Sequence, residues 1–116
     1  MFGFEKLDVW QKAVDYADTI YIVTRAFPNE ERFGLTNQLR RASVSVSSNI
    51  AESSRSSSME FRRFIEIAYG SLLETVSELR VAQKQGLVDT QTYEKVYRQA
   101  EDVAKMLSGL RQNLRK

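Results

Sequence analysis

Near the end of the chain, Val96, Ala100, Val103, Leu107, Leu110 and Leu114 recur in steps of four and three. That spacing lines them along one stripe of an α-helix, and such a stripe is stable in water only when other helices cover it. The segment therefore demands partners, and three more periodic segments precede it. Little in the composition interrupts helices, since the 116 residues include five glycines and one proline, Pro28.

The third segment is expected from Ser58 to about Gln85. Ser57 and Glu60 fit a capping box at its start. Phe61, Ile65, Ala68, Leu72, Val76, Leu79 and Ala82 form its buried stripe, and Gly70 in mid-helix predicts a close helix crossing. Gly86 closes this helix, and Asp89 caps the next. The first segment, from Asp8 to about Ala26, carries Leu7, Trp10, Val14, Ala17, Tyr21 and Thr24 as one seam, with Val9, Tyr16, Ile20, Val23 and Phe27 beside it.

The second segment looks least like a helix. Nine of the twenty-one residues of QLRRASVSVSSNIAESSRSSS, Gln38 to Ser58, are serine. Yet Leu35, Leu39, Ala42, Val46 and Asn49 or Ile50 keep helical spacing, which a flexible linker has no reason to preserve. Small serine side chains also let neighbouring helices approach closely. A helix from Gly34 or Leu35 to Ser53 follows, with Ser54 to Ser57 as a tight connection. The expected fold is an all-α, antiparallel, up-down-up-down four-helix bundle forming a single domain over residues 1–116.

Several function classes fall away. The start, MFGFEKLDVW, lacks the pattern of a secretory signal, and the uncharged runs are about half the length of a membrane span, so no membrane role and a cytoplasmic location are expected. With no cysteine and no histidine, there is no thiolate chemistry, no Glu-x-x-His metal motif and no histidine base. Phosphate-cradling and dinucleotide-binding glycine motifs are absent. Glu52, Glu66, Glu74 and Glu78 have no spacing that singles out a cation site. No enzymatic activity and no cofactor or metal are expected.

What remains is surface. Net charge is only +2, but residues 32–63 hold six arginines against two glutamates. Arg40, Arg41, Arg55, Arg62 and Arg63, with the tail residues Arg111, Arg115 and Lys116, either attract phosphates or form a solvated helix surface. Asn49, Glu52, Ser71 and Glu74 are placed to face inward as a register-fixing polar network that Arg41 can join. On the first helix, the apolar sector is wider than one bundle core requires. Trp10, Tyr16, Ile20, Val23 and Phe27 are thus the candidate interface of a homo-oligomer, the alternative being a broad intramolecular face.

LDVWQKA, GLTNQLRRASVSVSSNIAE, EFRRFIEIAYGSLLE and ELRVAQKQGLVD, in that order, resemble the four-helix-bundle proteins encoded within intervening sequences of bacterial 23S ribosomal RNA genes. The likeness spans nearly the whole chain. One departure is Ser53, where the family usually has glycine after SNIAE. The resemblance implies a small homo-oligomer, a ring-like pentamer by preference, without established enzymatic activity. More distantly, the chain resembles the accessory proteins of diversity-generating retroelements, basic bundle rings that bind a reverse transcriptase and nucleic acid. That likeness implies a role for Arg40, Arg41, Arg55, Arg62 and Arg63 in binding RNA, DNA or a protein that handles nucleic acid. A purely structural protein–protein interaction module is the alternative.

Overall fold

A computed structural model gives the structure of residues 1–55 and 57–113. Four helices follow one another: α1 (Asp8–Thr24), α2 (Leu35–Ser53), α3 (Ser58–Lys84) and α4 (Thr90–Asn113). Short 3-10 turns at Gly3–Lys6 and Asn29–Glu31 flank α1, and the described residues contain no strand. Each helix packs on the next in the chain, and α4 closes the ring against α1. The bundle measures 44 × 22 × 22 Å, and the long dimension is close to the roughly 40 Å expected of α3.

The core is a column of side chains contributed by all four helices. Tyr16 and Ile20 meet Leu39, Val46 and Ile50, then Ile65, Leu72 and Leu79, then Val96, Val103 and Leu107, all fully or almost fully buried. The stripes expected for α3 and α4 are the observed ones, except that Leu114 lies outside the described residues. On α1 the inward face is Val9, Ala13, Tyr16, Ala17, Ile20 and Thr24. The expected seam was therefore rotated: Val14 and Tyr21 stand at the exposed edge.

Helix α2 is continuous through its serines because their hydroxyls are locally satisfied. Ser43 Oγ donates to the Arg40 carbonyl at 2.9 Å, Ser47 to Val44 at 3.0 Å and Ser53 to Ile50 at 2.6 Å. Such back-bonding removes the incentive to leave the helix. Ser43 and Ser53 are fully buried, and Ser45 Oγ meets Ser71 Oγ at 2.9 Å across the α2–α3 contact, the most extensive pairing in the bundle. Ser53 in place of glycine fits without strain, since Ser54 is still right-handed helical.

The termini follow the sequence signals. Ser57 Oγ accepts from the Glu60 amide at 3.4 Å, and Asp89 Oδ1 accepts from the Thr92 amide at 2.7 Å. The latter bonding holds the Asp89 carboxyl below its usual range. Gly86 adopts φ +77°, and the Leu87 amide reaches back to the Ala82 carbonyl at 2.9 Å while Gly86 bonds Gln83 at 2.9 Å. This pair of bonds is a Schellman closure, and it turns the chain directly into α4. Gly70 does not behave as expected: a side chain there would meet nothing within 4 Å, so no close crossing requires it.

Candidate nucleic-acid interface

Arg40 and Arg41 lie on the first half of α2, Arg55 just beyond its end, and Arg62 and Arg63 in the opening turns of α3. The Ser45–Ser71 bond fixes how the two helices sit side by side. In that register Arg41 is level with residue 75, about thirteen residues along α3 from Arg62, or roughly 20 Å. The five arginines thus form two separate groups. One, with Arg55, Arg62 and Arg63, sits at the α2–α3 turn; the other, with Arg40 and Arg41, flanks the α1–α2 groove.

Their environments differ. Arg55 Nε pairs with Glu52 Oε2 at 2.9 Å on a well-exposed surface, a contact of little energetic weight that nonetheless offsets its charge. Arg41, Arg62 and Arg63 are exposed, with no ion-pair partner among the described residues. Arg40 is half-buried and ordered. Its Nε donates to Thr24 Oγ1 at 2.9 Å, and its guanidinium lies 4.6 Å from the centre of the Tyr21 ring. Thr24 can accept because its own hydroxyl proton goes to the Ile20 carbonyl at 2.7 Å. Of the tail cations, Arg111 lies 3.3 Å from Glu66 and 4.8 Å from the centre of the Tyr69 ring; Arg115 and Lys116 lie outside the described residues.

The expected inward polar network is only partly formed. Asn49 Nδ2 donates to the Ser45 carbonyl at 2.8 Å, and Ser45 meets Ser71. Glu52 and Glu74 are exposed, as is Arg41. Glu78 turns inward instead, with Oε1 buried and lacking a hydrogen-bond partner among the described residues. Burial, with Glu74 one turn away adding repulsion, raises its carboxyl to about 7. Among the described residues no group of acidic side chains is assembled to hold a metal ion, and no helix is long and apolar enough to cross a membrane.

The candidate interface on α1 requires correction. Tyr16 and Ile20 are 0% exposed within the single chain and Phe27 is 9% exposed, so their surface is already spent on the intramolecular core. Trp10 and Val23 are half-buried against that core. The sector is wide because α1 is covered on three sides: by α2, by α4, and by the N-terminal 3-10 turn. Phe4 of that turn meets Trp10 edge-on with ring centres 5.1 Å apart. Phe27 lies past the end of α1, where its amide bonds the Thr24 carbonyl at 3.0 Å. Apolar exposure occurs elsewhere, in a groove between α3 and α4 lined by Leu72, Leu73, Val76, Tyr97, Ala100 and Ala104, with Glu101 at its side.

The sequence model of the 23S rRNA-intervening sequence protein family matches residues 5–109. The chain belongs to that family. A crystal structure of a protein of unknown function from the S23 ribosomal protein family of Bacteroides thetaiotaomicron VPI-5482 has the same fold. Its TM-score is 0.82 at 23% identity, with 89% of this chain and 97% of the other covered. No curated protein matches the sequence. The matched span holds all five arginines and the whole helical core, leaving outside it only the first four residues and the basic C-terminal end. Tyr21 and Thr24, which order Arg40, were not among the site residues expected from sequence. Their only signal is the three-residue spacing that puts both on one side of α1.

Proposed function

We propose that this protein is a non-enzymatic, self-associating bundle of the cytoplasm that contacts RNA or DNA, or a partner that handles nucleic acid, through its arginines. The supporting observation is that Arg40, Arg41, Arg62 and Arg63 have no ion-pair partner among the described residues, although the chain as a whole carries nearly balanced charge. Unneutralised guanidinium groups on a rigid surface suit phosphate oxygens, whose bidentate geometry they match.

Self-association rests on the α3–α4 groove. Leu73 is 52% exposed and Tyr97 40% exposed at its edges, above the small side chains of Ala100 and Ala104. Exposed apolar surface of this kind is better covered than left in water. The family resemblance favours a five-membered ring, in which weak phosphate contacts on each subunit act together.

Light scattering and anisotropy titration test the two parts separately. The unmodified protein is expected to run above monomer mass at micromolar concentration, and Leu73→Glu to reduce that mass without loss of helicity. Labelled RNA or DNA is expected to bind at low salt and to dissociate steeply as salt rises. A salt-independent or absent signal overturns the nucleic-acid part. Should an oligomer persist in that case, the reading is a purely structural interaction module, which the exposed Leu73 and Tyr97 favour on their own.

A further inference from the structure

We infer that the groove formed by Tyr21, Arg40, Arg41 and Val44 between α1 and α2 holds one nucleotide unit of a single strand, its phosphate on the arginines and its base on the stacked surface. The inference rests on the nucleic-acid reading above and narrows it to one of the two arginine groups.

Three observations carry it. First, Arg40 is set in place before any ligand arrives. Thr24 takes only Nε, and Tyr21 supports one face of the guanidinium, so both terminal nitrogens are left without a hydrogen-bond partner among the described residues. Holding the side chain this way reduces the entropy lost when an oxyanion binds. Second, neither partner is a carboxylate, so the positive charge stays uncompensated. Arg111 presents a contrast in the same fold, with a tyrosine ring beneath it but Glu66 alongside. Third, Arg40 and Arg41 line one surface depression together with Asn37, Val44 and Ser48. Two arginines and an asparagine thus border one depression beside the exposed apolar surface of Val44 and Tyr21.

That combination distinguishes a single strand from a duplex. A duplex offers phosphates but keeps its bases stacked on one another. An unpaired base can lie on an aromatic ring or a guanidinium plane, as in sequence-tolerant single-strand binding. The Tyr21–Arg40 stack supplies both surfaces at one place. Arg62 and Arg63, at the other end of the bundle, have no stacked ring among the described contacts and supply charge alone.

The test is anisotropy of a labelled twelve-nucleotide oligouridylate and of a duplex of equal length, titrated against the full chain across a salt series. Arg40→Gln and Arg41→Gln are each expected to weaken single-strand binding about tenfold and to lower the salt slope by about 0.7, the value of one lost phosphate contact. Tyr21→Leu is expected to weaken it several-fold with the slope unchanged, because stacking releases no counterions. Arg41 is exposed and makes no side-chain hydrogen bond or ion pair among the described residues, so its variant remains informative even if Arg40→Gln perturbs the α1–α2 packing; melting temperatures identify that case. Loss of binding only in Arg62→Gln and Arg63→Gln would overturn the groove while leaving the nucleic-acid reading intact. Equal affinity for duplex and single strand, with Tyr21→Leu silent, would also overturn it. Failure of the unmodified protein to bind either oligonucleotide overturns both.

Discussion

The Tyr16 hydroxyl donates to Thr75 Oγ1 at 2.7 Å across the centre of the bundle, joining α1 to α3, helices that are not neighbours in the ring. The direction follows from the proton count. Thr75 spends its only hydroxyl proton on the Leu72 carbonyl at 2.6 Å, so it can only accept from Tyr16. Both residues are fully buried, and burial raises the phenol to about 12, with nearby Glu78 adding to the shift.

Removing one end of this bond differs from removing the other. Tyr16→Phe leaves Thr75 satisfied through Leu72 and should cost about 1 kcal/mol. Thr75→Val strands a buried phenol and should cost more, about 1–3 kcal/mol. Urea midpoints of the two variants give the comparison, and a smaller loss for Thr75→Val would reverse the assigned direction. In the intact protein the folded phenol holds its proton beyond the ordinary 10.0, so this contribution to stability is lost as pH rises from about 10 to 12.

Glu78 gives a second pH dependence at lower pH. Its carboxyl is raised from the ordinary 4.5 to about 7, mainly by burial and then by Glu74, so between those values the folded state binds the proton more tightly than the unfolded. Stability from this group is present below about 4.5, declines as pH climbs to about 7, and is then constant. Glu78→Gln should therefore raise the melting temperature at pH 8 and change it little at pH 4. An equal effect at both pH values would mean that the carboxyl is not buried at a cost in the folded state.

The helical fold was legible because periodicity and caps agree with one another. The 4-3 spacing of α4, the Asp89 cap and Gly86 each specify a local structure that tertiary packing then reinforces. The serine-rich α2 was legible for the same reason, its period surviving an unusual composition. The inward face of α1 was not, because thirteen apolar residues from Leu7 to Phe27 cover more than half its circumference. Which of them turn inward is decided by Phe4 and by where the helix ends, neither of which periodicity reports. The candidate site was legible only as a list of arginines. Its division into two groups depends on the α2–α3 register, and the ordering of Arg40 depends on a contact sixteen residues back in sequence.

Gly70 offers a test of α3's outer face. It is exposed in mid-helix, has a helical backbone and would admit a methyl group without contact. Gly70→Ala should stabilise the fold by about 0.5–1 kcal/mol through reduced freedom of the unfolded chain and better helix propensity. Thermal melts at low concentration measure that gain. Ile67 and Leu73 are exposed one turn to either side, so a fall in oligomer mass in the same variant would show that a second subunit approaches α3 at this glycine.

The orientation of α1 and the depth of α4 can be checked together by two alanine substitutions. Leu107 is fully buried among all four helices, and its truncation removes apolar contacts while leaving a cavity that the rigid bundle only partly closes. Leu107→Ala should cost about 2–5 kcal/mol, a large share of the net stability of a domain this size. Val14 is 39% exposed on the outer edge of α1. There the lost burial is small and alanine is the better helix former, so Val14→Ala should change stability by less than about 1 kcal/mol. Chemical denaturation resolves the two readily. Comparable losses at both positions would mean that α1 is turned with Val14 toward the core, and Tyr16 could not then reach Thr75.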